Sequence, residues 1–360
     1  MKVFVYEYVS GGGGLAQGSS LDLAALQPEG RAMVRALAAD FAALPGVAVV
    51  TLRDGRWAPL FPEGRIEEIP VSCPDEEHRA FQTLASTSTW TVLIAPETGG
   101  LLRQRAEWVL AANGRLLSPD PAFIALATDK HQTACHLERR GVPVPRGWLV
   151  PQEARWSDND AGPCDATQWP WPVVVKPVDG CGSQGVELVR DAAAWQRLLP
   201  HLVAGGGMWR VEPWIEGLAA SVGVMCGPGG RVALPACAQH LAGDGSFAYR
   251  GGCTPLPPPL DERARRLALS ALAALPPACG YVGVDLVLGA DPAGHDDRVI
   301  EVNPRLTTSY LGLRKAVSEN LAGGMLQLAR GQPWAWSGRA SAVQFTADGH
   351  VRVASRAECT

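Results

Sequence analysis

The apolar positions of the first third of the chain switch repeatedly between two periods. Residues 2–9 alternate, are β-branched or aromatic, and read as a first strand; four glycines, residues 11–14, follow almost at once. From residue 29 to 44 the apolar side chains (Met33, Leu37, Phe41, Leu44) fall at helical spacing. Residues 47–52 read as a second strand, 75–84 as a helix, 91–95 as a third strand and 101–112 as another helix. Strands alternating with helices predict a parallel sheet, so residues 1–118 form a first small α/β domain.

The pattern then changes. A helical run over 131–140 ends at Gly141 and Pro143, which marks a junction. Residues 151–172, rich in Pro, Asp, Gly and Trp, read as a surface loop or insertion. Residues 171–177 form a strong strand; the glycine-rich run 179–185 and a strand at 186–189 complete a hairpin. A helix over 192–203, a strand over 209–216 broken at Pro213, and short strands at 220–225 and 232–238 come next. After a helix over 261–274, the runs 283–287 and 299–303 flank turn residues 290–297. Residues 309–328 read as mostly helical, and the tail from Gly331 has one hairpin across 347–349.

Composition narrows the class. With 360 residues, 47% hydrophobic and 19% charged, the chain is an ordinary globular one, large enough for two or three domains. A net charge of −4 gives no basic field for nucleic acid. No apolar run reaches membrane-spanning length, and the first strand carries Glu7 and lacks a signal-peptide pattern, so a cytoplasmic chain with no membrane partner is expected. Nine cysteines with no C-x-x-C pair argue against a disulfide framework or structural zinc and read as small buried side chains.

Three constellations carry chemistry. If 283–287 and 299–303 pair about their turn, Asp285 and Glu301 lie opposite each other, and Asn303 leaves the same face as Glu301. Two carboxylates and an amide oxygen suit Mg²⁺, with Mn²⁺ as the variant, although a polar strand tip is the plain alternative. Gly180, Gly182, Ser183 and Gly185 expose backbone N–H groups beside Lys176, as a phosphate requires; the run is not a P-loop. In Glu212-Pro213-Trp214-Ile215-Glu216-Gly217, Pro213 frees neighbouring backbone groups of Trp214 and Ile215 for a flat heterocycle; Trp214 equally suits a core. Strand ends in an open α/β sheet face the ligand crevice, which brings in Glu7, Gly12 and Glu97. Carboxylates there suit an ammonium group or pair with surface cations, and Arg250 suits a substrate carboxylate.

Taken in order, Lys130, Lys176 with its glycine loop, Glu-Pro-Trp-Ile-Glu-Gly, Asp285 and Glu-x-Asn-Pro-Arg resemble the ATP-grasp superfamily of carboxylate–amine and carboxylate–thiol ligases. The resemblance implies an α/β (α+β) chain: an N-terminal open parallel-sheet domain over 1–118, a central lid subdomain over 119–208, a subdomain with the Mg²⁺ site over 209–330, and a tail hairpin over 331–360. It implies that Lys130 and Lys176 contact the phosphates of ATP and that residues 180–185 form a lid. Glu212, Trp214 and Ile215 would hold adenine, Asp285, Glu301 and Asn303 the Mg²⁺, and Arg305 would sit near the γ-phosphate. Many members have a ribose-binding Glu where this chain has Ala219, which leaves Glu216 for that role. The segments at 4–13 and 300–310 resemble the tyramine–L-glutamate ligase group of methanofuran-type cofactor biosynthesis. The implied reaction activates a carboxylate as an acylphosphate that an amine attacks, with Arg305 and Lys176 as catalytic cations, small-molecule acid and amine as partners, and a homodimer left open. Another ATP-grasp amino-acid or dipeptide ligase, and a nucleotide-binding regulator without turnover, are the alternatives.

Overall fold

The structure is a computed structural model and describes residues 1–16, 22–150, 166, 169–243 and 245–359. Most of the expected insertion, 151–165 with 167 and 168, lies outside the described residues.

The first domain contains β1 (Lys2–Glu7), α1 (Leu23–Ala42), β2 (Ala48–Asp54), β3 (Glu67–Val71), α2 (Pro74–Thr87), β4 (Trp90–Ile94) and α3 (Leu101–Ala111). Its sheet has the order β3-β2-β1-β4, all parallel, as the alternating pattern predicts. Strand β3 escapes sequence reading because Glu67, Glu68 and Pro70 break its apolar run; as an edge strand it tolerates them. Asp22 caps α1 by accepting from the Ala25 N–H, and Met33, Val34, Leu37 and Phe41 form its buried stripe.

Two short helices follow, α4 (Pro121–Thr128) and α5 (Lys130–Glu138), each with an Asp N-cap, Asp120 and Asp129. The cap at Asp129 makes Lys130 the first residue of α5 and points it out of the turn. The second sheet is antiparallel, in the order β5-β8-β6-β7: β5 (Trp148–Val150), β6 (Val173–Pro177), β7 (Glu187–Val189), then α6 (Ala192–Gly205) and β8 (Trp209–Pro213). Strand β8, which lies beyond the division expected at residue 208, pairs with β6 of this sheet.

The third sheet holds β9 (Leu218–Gly227), β10 (Gly230–Ala233), β11 (Cys237–Leu241), β12 (Tyr249–Thr254), β13 (Gly280–Leu288), β14 (Arg298–Asn303), β15 (Val343–Thr346) and β16 (Val351–Val353). Helices α7 (Pro258–Ala274), α8 (Ser309–Ala316) and α9 (Leu321–Ala329) pack around it. Its order is β14-β13-β9-β11-β12-β15-β16, with β10 also on β9. The run read as one strand over 232–238 is two, split around Pro235. In the tail, β15 pairs with β16 as a hairpin and with β12, so it extends the sheet.

A disulfide joins Cys253 on β12 to Cys359, 106 residues away in sequence, which corrects the expectation of cysteines as buried apolar residues alone. Spacing along the chain cannot reveal a pair that only the sheet brings together. Cys181, Cys226 and Cys237 are free and buried, as expected. Among the described residues no helix is long and apolar enough to cross a membrane.

One hydrophobic core runs across the domain boundary. Leu37 and Phe41 of α1 join Tyr310 and Leu313 of α8, Leu321 and Met325 of α9, and Phe345 of β15. Each side chain fully buried this way is worth roughly 2 kcal/mol of transfer free energy. Asp40 pins the same joint, accepting from Tyr310 Oη at 2.7 Å and Arg314 Nε at 2.8 Å.

Candidate active site

A cavity of about 270 Å³ opens where the three sheets meet. One wall is the β13–β14 hairpin. Asp285 and Glu301 are register partners there, as the symmetric turn predicts, with the register slipping just after Asp285. Asn303 Nδ2 donates to Asp285 Oδ2 at 2.9 Å and Gln239 Nε2, from β11, donates to Asp285 Oδ1 at 3.0 Å. Burial and then the Glu301 charge push the Asp285 carboxyl up to about 7. Glu301 is balanced by Lys130 Nζ at 2.8 Å. Burial pulls that ammonium's pKa down, but Glu301 outweighs it and the net direction is up. Among the described residues no three His, Cys, Asp or Glu side chains gather as a metal cluster. The set is two carboxylates and an amide, with one carboxyl disfavoured as an anion. Such an oxygen-only set fits Mg²⁺, which takes one or two carboxylates and completes its shell with water and phosphate oxygens.

The second wall is β6 and its glycine loop. Lys176 Nζ donates to Glu212 Oε1 at 2.5 Å and to Ile300 O at 3.3 Å. Burial, helped by Arg210, holds Lys176 below its usual range despite Glu212. Glu212, which burial alone would raise, is held low by Lys176 and Arg210. Gly180 O accepts from Lys130 Nζ at 2.5 Å, and Gly180, Cys181, Gly182, Ser183 and Gln184 all line the cavity. Gly185 does not; with φ +73° it shapes the turn and packs towards Trp209.

The expected adenine segment keeps only part of its backbone free among the described residues. Trp214 N–H donates to Pro172 O at 2.9 Å, so it is not free for a ligand. Among the described residues the Trp214 carbonyl and the Ile215 N–H have no backbone partner, and both residues line the cavity. The Trp214 ring is 41% exposed and stacks on Phe247 at 5.5 Å, so it is not core filling. Glu216, expected to stand in for the ribose contact, is exposed and does not line the cavity. Beyond Pro213 the chain leaves the strand, so the face that Glu212 presents is not repeated at Glu216.

The third wall belongs to the first domain. Glu7 lines it, its carboxylate accepting from Val9 N, Ser10 N and Ser10 Oγ at 3.0, 2.7 and 2.6 Å, and burial pushes its pKa up. Gly12 turns the other way: a Cβ there would meet Val71 and Glu77, not the cavity. Glu97 lies behind the wall, its Oε1 2.9 Å from Arg305 Nε, so its charge is already matched. Arg305 lines the cavity, and Glu97 holds its pKa up against burial. Arg250 is exposed and outside; alternation on β12 gives the inward place to Tyr249. Sequence reading missed Glu29, Gly30 and Met33 of α1, Gln239, Thr308 and Ser309, all lining the cavity. Glu29 accepts from Thr308 Oγ1 across 279 residues of chain, a contact no local pattern signals.

Residues 127–309 match the ATP-grasp domain family and residues 47–124 the pre ATP-grasp 3 domain family. An uncharacterized protein, y4rH, of Sinorhizobium fredii is 34% identical over 106 residues, 29% of this chain and 20% of that one. A D-alanine–D-alanine ligase of Oleidesulfovibrio alaskensis is 29% identical over 227 residues, 58% of this chain and 68% of the ligase. A cyanophycin synthetase of Synechocystis is 30% identical over 156 residues, 41% of this chain and 16% of that protein. This chain thus spans a fifth or less of two of these relatives. Among solved structures, an ATP-grasp superfamily protein of Archaeoglobus fulgidus matches with TM-score 0.66 at 20% identity, over 96% of this chain and 92% of that one. An L-amino acid ligase of Bacillus licheniformis matches with TM-score 0.63 at 15% identity, over 95% and 78%. At these identities the structural likeness is one of fold.

Proposed function

The chain belongs to the ATP-grasp family, and on that premise we propose that it is an ADP-forming ligase that joins a carboxylate to an amine. The observation that carries the reading is the convergence of Lys130, Lys176, Glu212, Asp285, Glu301, Asn303 and Arg305 on one cavity beneath a glycine loop. Asp285, Glu301 and Asn303 would hold Mg²⁺ (or Mn²⁺), which when bound supplies positive charge against the phosphates. In this reading Lys130 and Lys176 face the phosphate chain of ATP, and the Ile215 N–H and Trp214 carbonyl face adenine. A substrate carboxylate oxygen attacks the γ-phosphorus, ADP leaves, and an acylphosphate forms. A neutral amine then attacks the acyl carbon; Arg305 stabilises the tetrahedral oxyanion, and the C–O bond to phosphate breaks as the departing phosphate takes up the proton that the amine nitrogen loses. Water would hydrolyse the acylphosphate, so the role of residues 180–185 is to close over it.

For the substrates, we propose L-glutamate and tyramine, or a tyrosine-like amine, in methanofuran- or methylofuran-type biosynthesis. The resemblance of residues 4–13 and 300–310 supports this. So does the first-domain end of the cavity, where Val9, Leu26, Met33, Ile94 and Tyr249 offer apolar surface beside the acids Glu7 and Glu29. The test supplies ATP and glutamate with tyramine, tyrosine, D-alanine or lysine, measuring ADP and identifying the amide by mass. Turnover with D-alanine or lysine and none with either aryl amine overturns the substrate assignment and leaves a ligase. Tight ATP binding with no turnover across a wide acid and amine panel leaves the regulator reading.

A further inference from the structure

Glu212 is shared between two cations. Its Oε1 takes Lys176 at 2.5 Å, and its Oε2 accepts from Arg210 Nε at 2.7 Å. Arg210 is 1% exposed and does not line the cavity. The rest of its guanidinium is also held: NH2 donates to Pro145 O at 2.7 Å, and NH1 lies 2.9 Å from His131 Nδ1. Arginine only donates, so Nδ1 accepts and carries no hydrogen. Gly147 makes the room, since a Cβ there would sit 2.7 Å from the guanidinium carbon.

Burying a charge is costly even when it is paired, so a fully buried arginine that does not line the cavity calls for a reason. Charge counting supplies one. Lys176 and Glu212 alone make a neutral pair, with nothing left over for an anion. Arg210 brings the trio to a net charge of +1, and it does so by occupying the oxygen of Glu212 that Lys176 does not use. We infer that Arg210 is a positioning residue that shares Glu212 so that the Lys176–Glu212–Arg210 cluster as a whole, and not Lys176 alone, presents a net positive charge to the phosphates of ATP. The inference rests on the ligase reading for what fills the cavity. Through His131, the residue after Lys130, the same guanidinium fixes the start of α5 and so the second cation.

A packing role and a charge role differ in what they do to adenosine. Dissociation constants for Mg²⁺–ATP and for adenosine are measured by calorimetric titration on wild type, R210M and R210K, with folding checked by thermal unfolding. R210M should weaken ATP roughly 10-fold or more, the weight of one charge-assisted contact, and shift adenosine less than about twofold. R210K, which keeps the charge, should hold the wild-type ATP-to-adenosine ratio. Equal weakening of both ligands in R210M, or ATP binding unchanged in it, overturns the inference while leaving the ligase reading intact. Wild type that binds no ATP overturns the ligase reading first. Should R210M not fold, R210K decides: a preserved ratio supports the charge role and a tenfold fall in it ends it.

Discussion

Arg305 Nε stands 2.9 Å from Glu97 Oε1, and the pair ties the end of Glu-x-Asn-Pro-Arg to the loop after β4 in the first domain. Their side chains are 13% and 4% exposed, so Glu97, behind the cavity wall, has no bulk water as an alternative partner. Removing one member of such a pair strands the other; Glu97→Gln is expected to cost about 3 kcal/mol of unfolding free energy. Chemical denaturation of the two single variants and of E97Q/R305M checks this. The double variant should be less damaged than the sum of the singles, and simple additivity would show that the pair is not coupled.

The facing carboxylates give a pH signature. Asp285 sits near 7 where an ordinary Asp has 3.8, so the folded state holds its proton more tightly than the unfolded one. Its contribution to stability is therefore complete below about pH 4 and is lost as the pH rises through 7. In chelator, Asp285→Asn should match wild type in thermal midpoint near pH 4 and exceed it near pH 8. Added Mg²⁺ at pH 8 should raise the wild-type midpoint and leave that of the variant nearly still. A variant that melts below wild type at pH 8 would mean that Asn303 and Gln239 stabilise the anion outright.

Gly30 isolates the first-domain end of the cavity. A methyl group there would lie 2.5 Å from Glu7 Oε1, a carboxylate already committed to Val9 and Ser10. Gly30→Ala is expected to raise KM for the acid or amine on the order of 10-fold, a typical effect of displacing a positioning group, with KM for ATP unmoved. Initial rates with each substrate varied in turn decide it. A shift confined to ATP would place the nucleotide, not the acid or amine, beside α1.

The residues legible in the sequence are those whose geometry is local. Asp285 faces Glu301 because a hairpin about one turn sets its own register. Lys176 is readable because it closes a β-branched strand and opens a glycine loop. Elsewhere local pattern falls short. The period of α1 marks Met33 and Leu37 as inward but says nothing of Glu29 and Gly30 at the cavity. In Tyr249-Arg250 the strand's phase decides which side chain points in, and the glycines of β12 hide that phase. Glu97 is readable as a strand-end acid, yet its partner Arg305 comes from the far end of the fold. Gln239 stays hidden because Pro235 blurs the start of its strand.

The core shared by α1, α8, α9 and β15 bears on how such a chain can be re-engineered. The first-domain end of the cavity is lined largely by residues before 118, and a cassette exchange there is the obvious way to give the cavity a different lining. Phe41 and Leu37, however, are seated among Tyr310, Leu313 and Met325, and Asp40 is bonded to Tyr310 and Arg314. A transplanted first domain would arrive with the wrong knobs for those sockets. A working chimera would have to carry α8 and α9 along with it, so the exchangeable unit is discontinuous in sequence.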